Sequence, residues 1–532
     1  MDAQLKQDLV DLTKAILATF TAEYTKAYTV ALTAKCVKDA KKPPSPYLLS
    51  VREKPLTGDR HSGFLTKEGA VRKSLKRRYF IVRQDYSIDY YESENNLTKK
   101  KGTITLAGYK VETDPNKSIL GRLTKLAEKM KMDVSAIPKP KEYPPFTIEL
   151  LHEYRRIYYL TADNKEQFDE WTEVLKTCVR HAQGFKNPDA VHQKAFGVAV
   201  RNTRWSLGRW GWFGWGGSEV QVLADVISDE VEYDILNRAL YKLPSAPWFI
   251  RNFLRTQMMK VIIGTVTSAV NPAWIAMDKT VTGVRPTAEG KIREEIDPIA
   301  KLQQEMLDKM KDQLISVIEP VVREQVSPHL STILGDEVKK PLEKSFVAVV
   351  QIWNEQSAKY NGDGSDKSFT DLRKYPQYFS PMRSAHDPIN ELYPFLQTLY
   401  PVFDGFWAST IVYGIRGELN QISENAVYTF EKEITESSND GAVINIDSAR
   451  QSILSKLEHD AKILYRDQLH FTVRSIVKPT LMKILNPLTK PILSNLQSMI
   501  PAALKDFFDM NEMFHQILDG VLDNTTDTVL EN

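Results

Sequence analysis

Arg60, Lys67, Arg72, Lys73, Lys76, Arg77, Arg78 and Arg83 crowd into residues 60–83, where Glu68 is the single acid. Cations at this density raise the local potential and select phosphate-bearing partners. A guanidinium adds bidentate contact with phosphate oxygens. On a strand, alternate side chains share a face, so Lys76 and Arg78 converge while Arg77 points away. The chemistry on offer is anion capture rather than bond making.

Bond-making signatures are missing. No G-x-S-x-G elbow and no H-E-x-x-H helix occurs. Gly283 and Gly290-Lys291 are too far apart for a P-loop, and Ile292 stands where Ser or Thr would meet magnesium. Asp363 and Asp366 lack the spacing and the terminal Glu of a calcium loop. The nine histidines are scattered, and Cys36 and Cys178 support neither a disulfide framework nor a thiolate metal site. The expectation is a non-enzyme with no catalytic residue, no metal and no cofactor.

A second stretch carries interfacial chemistry. Trp205, Trp210, Trp212, Phe213 and Trp215 are interleaved with glycines and arginines. Amphipathic indoles favour a bilayer interface, so these residues are candidates for a membrane or partner contact. The competing reading packs them against the protein's own surface. Lys99, Lys100 and Lys101 beside Tyr90 and Tyr91 raise nucleic acid as a partner. With a net charge of +2, that reading ranks low.

These groups need a scaffold. Leu5, Leu9, Leu12, Ile16, Phe20, Tyr24 and Tyr28 recur at three- and four-residue spacing, which predicts an amphipathic helix within residues 1–45 that packs on a later helical region. Prolines 43, 44 and 46 end it. Residues 57–182 change to a period of two. Seven short strand-like runs start near 63, 78, 87, 102, 109, 146 and 157, and a helix carrying Phe168, Trp171, Val174, Leu175 and Val179 closes the set. This is the pattern of a small β-barrel plugged by a helix.

The basic insert 115–145 interrupts the barrel. It reads as a mobile surface loop ahead of a lipid-touching amphipathic segment. Residues 183–517 read as an all-helical, elongated region cut or kinked by prolines 320, 328, 341, 479, 487, 491 and 501. Residues 518–532 read as a polar acidic tail that frays. The uncharged run Val261–Met277 reads as a buried helix with a break, not a membrane span. No signal peptide is read. The fold class is therefore α+β multidomain.

The run from Lys67 to Val82 resembles the first hairpin of a pleckstrin homology (PH) domain, and the helix around Trp171 is similar to that fold's closing helix. The resemblance implies that Lys67, Lys76, Arg78 and Tyr90, flanked by Arg72 and Lys73, hold a lipid headgroup. Three blocks, Trp171–His181, Val322–Leu334 and Glu424–Glu431, are similar in order to segments of Niban-like proteins. That family resemblance implies a cytoplasmic, non-enzymatic adaptor or scaffold in stress or survival signalling. Phosphoinositide or other anionic lipid would be bound at the cytosolic face of a membrane, and protein partners through the helical region. The rival expectation is a protein-only scaffold whose barrel binds no lipid. Vertebrate members carry a long phosphorylatable tail, whereas this chain stops soon after its last predicted helix.

Overall fold

The computed structural model describes residues 3–41, 45–52, 58–69, 74–106, 109–129, 140–152, 156–181, 185, 187, 189–210, 218–236, 248–360, 366–374, 376–439, 445–501 and 507–531. The chain forms two compact units, each discontinuous in sequence. The first comprises Met1–Tyr28, Thr57–Leu207 and Gly214–Arg285; the second comprises Thr29–Leu56, Gly208–Phe213 and Pro286–Asn532.

In the first unit, the opening part of α1 (Ala3–Lys41) buries Leu9, Ile16, Phe20, Tyr24 and Tyr28 of the predicted stripe and half-buries Leu12. Phe20 meets Phe196 of α4 (Ala190–Ser206) with ring centroids 5.3 Å apart. Tyr24 lies 5.4 Å from Trp274. Its hydroxyl is 2.8 Å from His192 Nδ1, and His192 Nε2 is 3.1 Å from Glu219 Oε1. Glu219 opens α5 (Glu219–Glu230), so one buried polar chain ties three helices together.

The barrel sheet has seven antiparallel strands: β1 His61–Glu68, β2 Leu75–Val82, β3 Ile88–Tyr91, β4 Gly102–Ile104, β5 Lys110–Glu112, β6 Thr147–Leu151 and β7 Tyr158–Thr161. Their order is β4-β3-β2-β1-β7-β6-β5. The closing helix α3 (Lys165–His181) starts at Asn164, whose side chain accepts from the Gln167 amide at 2.9 Å. Trp171 is 1% exposed and meets the Phe80 and His61 rings at 6.1 and 4.7 Å. A Cβ on Gly63 would stand 3.3 Å from the indole Nε1, a tight contact, so glycine there eases the close approach of strand β1 to α3.

The insert departs from expectation. Its first half is a helix, α2 (Pro115–Lys129), rather than a loop. Arg122 reaches the fully buried Glu149 of β6 with two bonds of 2.6 and 3.0 Å, and Asn116 exchanges two bonds with the Tyr143 backbone. A buried carboxylate needs a cation, and α2 supplies it. Residues 130–139 lie outside the described part.

Helix α6 (Trp248–Glu294) runs unbroken through Pro272. The uncharged run is only half buried: Val266, Val270 and Trp274 face inward, while Val261 and Ile275 are exposed. A proline cuts a helix only where its missing N–H and its ring clash cannot be absorbed. Among the described residues no helix is long and apolar enough to cross a membrane.

The second unit is built from α7 (Ile296–Gln325), α8 (Ser327–Ile333), α9 (Asp336–Ser357), α10 (Lys367–Lys374), α11 (Arg383–Thr398), α12 (Ala408–Asn439), α13 (Ile446–Ser498) and α14 (Met510–Glu531). Pro320, Pro341, Pro479, Pro487 and Pro491 sit inside continuous helices and do not cut them. Residues 45–52 lie as a strap on α12 and α13. The Leu48 and Leu49 amides donate to the Asp460 carboxylate at 2.8 and 3.0 Å, and the Tyr47 hydroxyl donates to Asp467 at 2.6 Å.

The predicted acidic tail is instead the end of α14. Leu522 and Thr526 are buried, and three acids four residues apart pair with a matching stripe on α13. Asp519 meets Lys478 at 2.7 Å, Asp523 meets Arg474 at 2.8 Å, and Asp527 meets His470 at 2.7 Å and Arg466 at 2.8 Å. Burial pushes the Asp523 carboxyl up. Burial also acts on Asp527, but bonds from His470 and Arg466 outweigh it and hold that carboxyl low. Burying Leu522 is worth about 2 kcal/mol, and each half-exposed ion pair adds about 0.2–1 kcal/mol. Ending the chain after Leu518 should therefore lower the melting midpoint by about 6 °C or more, read by calorimetry. An unchanged midpoint would mean that the pairing stripe is idle.

Candidate functional site

Hairpin register assembles the basic cluster. Lys67 pairs across β1–β2 with Lys76, and Leu65 pairs with Arg78. Tyr90 of β3 stands opposite Phe80. The open end of this hairpin holds a cavity of about 460 Å³ lined by Lys67, Gly69, Ser74, Lys76, Arg78, Tyr90 and Lys101. No carboxylate is among these lining residues.

Each cation is placed differently. The Lys76 side chain is exposed and that of Arg78 half-buried. Lys67 is buried, with Nζ 4.7 Å from the Tyr90 ring centroid and 5.7 Å from that of Tyr158. Burial, reinforced by Arg156 and Arg78, pulls its ammonium down to about 8. Arg77 follows the alternation away from the cavity, bonding Asp163 at 2.7 Å and lying 4.8 Å over Phe64.

The hairpin's own acid is taken out of the site. Glu68 is buried, accepts from the Tyr143 hydroxyl at 3.2 Å and is paired with Lys141. Lys101, a cavity residue that sequence reasoning gave to nucleic acid, pairs with Glu92 at 2.7 Å. That pair, helped by Arg78 and Lys76, holds the Glu92 carboxyl low. Lys100 turns instead to Asp89 at 3.1 Å. Gly102 was also missed: a Cβ there would meet Tyr90 Cζ at 2.7 Å, so glycine is what lets the tyrosine lie across β4. Its signal in the sequence is a lone glycine opening a strand.

Of the six residues assigned to a headgroup, Lys67, Lys76, Arg78 and Tyr90 come together, while Arg72 and Lys73 lie outside the described residues. Of the aromatic stretch, Trp205 is half-buried 5.0 Å beneath Arg201, and Trp210 is half-buried. Trp212, Phe213 and Trp215 lie outside the described residues.

Comparison with known proteins adds relatives at two scales. Residues 64–184 match the family model for the Niban 2-like PH domain, and residues 320–469 match the Niban 2-like domain. The chain is 50% identical over its 532 residues to a PH domain-containing protein of Dictyostelium discoideum, covering 99% of that protein. It is 23% identical to human Niban 2, over 97% of this chain and 71% of that one. The crystal structure of human Niban 2 aligns with all of this chain and 98% of its own, at a TM-score of 0.77 and 20% identity. At that identity the structural likeness speaks for the fold alone.

Proposed function

The chain belongs to the Niban family, and from that premise we propose that it is a non-enzymatic adaptor whose PH domain captures a phosphoinositide headgroup at the cytosolic face of a membrane. The helical unit then presents protein-binding surfaces. The observation that carries this reading is the cavity of about 460 Å³ ringed by Lys67, Lys76, Arg78 and Lys101, with Tyr90 as a wall. Four cations around a lining without a carboxylate suit a group bearing more than one phosphate.

Its test is co-sedimentation of the full chain with neutral vesicles and with vesicles doped with mono-, bis- or trisphosphorylated phosphoinositides. Binding should require the phosphoinositide and weaken with salt, as exposed charge contacts do. Equal sedimentation with neutral vesicles, or none at all, sinks the reading. The rival, a protein-only scaffold, draws on the burial of Lys67 and on the Lys101–Glu92 pair, which spends one cavity cation internally. It predicts no lipid dependence.

A further inference from the structure

Lysines on a phosphate-binding surface are ordinarily exposed, and Lys67 is not: the residue is 7% exposed, yet it lines the cavity. Two aromatic faces flank its Nζ, at 4.7 Å for Tyr90 and 5.7 Å for Tyr158. Its hydrogen bond to the Glu68 carbonyl is 3.5 Å long, a weak contact. Arg156 is held close by its 2.8 Å bond to that same carbonyl, and it adds a like charge. An amine desolvated between rings and pressed by neighbouring cations gives up its proton readily, which is how lysine becomes a nucleophile. Lys76, Arg78 and Lys101 then surround the space above it with groups that hold phosphate oxygens.

We propose that Lys67 is a covalent acylation site, taking the acyl group of a small acyl phosphate whose phosphate is held by Lys76, Arg78 and Lys101. The neutral ε-amine attacks the carbonyl carbon and an N–C bond forms. The C–O bond to phosphorus breaks, inorganic phosphate leaves with the electron pair, and the amine's proton passes to water. The cations that bind the phosphate also stabilise the charge gathering on it as it departs. The amide has no charge and fills the cavity floor, so acylation switches off headgroup capture. That regulatory half rests on the function proposed above.

At pH 7.5 an amine with a pKa of about 8 is roughly a quarter neutral, whereas an ordinary lysine is about one part in a thousand neutral. The lower basicity of the amine offsets part of this gain, leaving an advantage of about tenfold.

The experiment treats the full chain with acetyl phosphate and follows each lysine by peptide mass spectrometry from pH 6.5 to 10. Lys67 should acetylate about ten times faster than the exposed Lys99 and Lys165 at pH 7.5, with a rate that levels off above about pH 8. Inositol hexakisphosphate should suppress it. The acetylated protein should lose phosphoinositide-vesicle binding as Lys67→Gln does, and Lys67→Arg, which has no nucleophilic amine, should resist acylation at this position. Labelling of Lys67 no faster than Lys99 overturns the proposal, and the unmodified chain alone suffices to show it. Fast labelling without protection and with vesicle binding intact keeps the acylation site but overturns both its regulatory role and the headgroup reading.

Discussion

Replacing Lys76 and Arg78 together with alanine should lower affinity for phosphoinositide-bearing vesicles about a hundredfold while leaving the fold intact. Charge-assisted hydrogen bonds are worth about 1.5–3 kcal/mol each, and 1.4 kcal/mol is a factor of ten. Two such contacts would give more than a hundredfold, but Lys76 is exposed and water screens part of its share. The fold is spared because neither side chain belongs to the buried core of the sheet. Arg77→Ala is the control: it removes one charge, half the change made by the double variant, from the opposite face, where Asp163 and Phe64 hold it. Its expected loss is less than threefold. Co-sedimentation with circular dichroism reads both variants. If Arg77→Ala lost about tenfold, half of the double variant's loss in free energy for half of its charge, attraction by net charge would replace a shaped site.

The second large effect is on stability. Trp171→Ala should cost the barrel about 3–5 kcal/mol, the usual range for deleting a large buried aromatic side chain. Trp171 is the largest fully buried side chain among the described residues, and it touches both strands of the cation-bearing hairpin through His61 and Phe80. Gly63 leaves no side chain that can relax into the vacancy. For a domain of this size, such a cost lowers its melting transition by about 12 °C or more. Calorimetry of the full chain should show an early transition for the barrel, and vesicle binding should vanish at the same temperature. An unshifted thermogram would mean that α3 is not what holds the hairpin in place.

Much of the site could be read from one dimension because a strand has a period of two. Lys76 and Arg78 share the cavity and Arg77 leaves it, as alternation requires. The seven strand segments and the closing helix were legible for a related reason: hydrophobic period changes where the backbone does. Lys101 and Gly102 were not legible, because their part depends on how β4 pairs with β3 beside Tyr90. The burial of Lys67 was hidden for the same cause, since Tyr158 reaches it from about ninety residues away. The α14 stripe shows a different failure. Asp519, Asp523 and Asp527 looked like a solvated tail when counted as charge, but their four-residue spacing matches that of Arg466, His470, Arg474 and Lys478 on α13. Composition alone does not distinguish a frayed acidic end from half of a helix pair.

The strap at residues 45–52 has a consequence for how a cell makes this protein. Leu48 and the carboxylate that holds its amide are 412 positions apart. A ribosome adding about 5–20 residues each second needs roughly 20–80 s to cover that distance. Throughout that interval the strap has emerged and has nothing to lie on, and Leu49, buried in the finished protein, is bare to water. Completion of this part of the molecule is thus a late event in synthesis, and the growing chain depends during that wait on whatever shields apolar segments from one another.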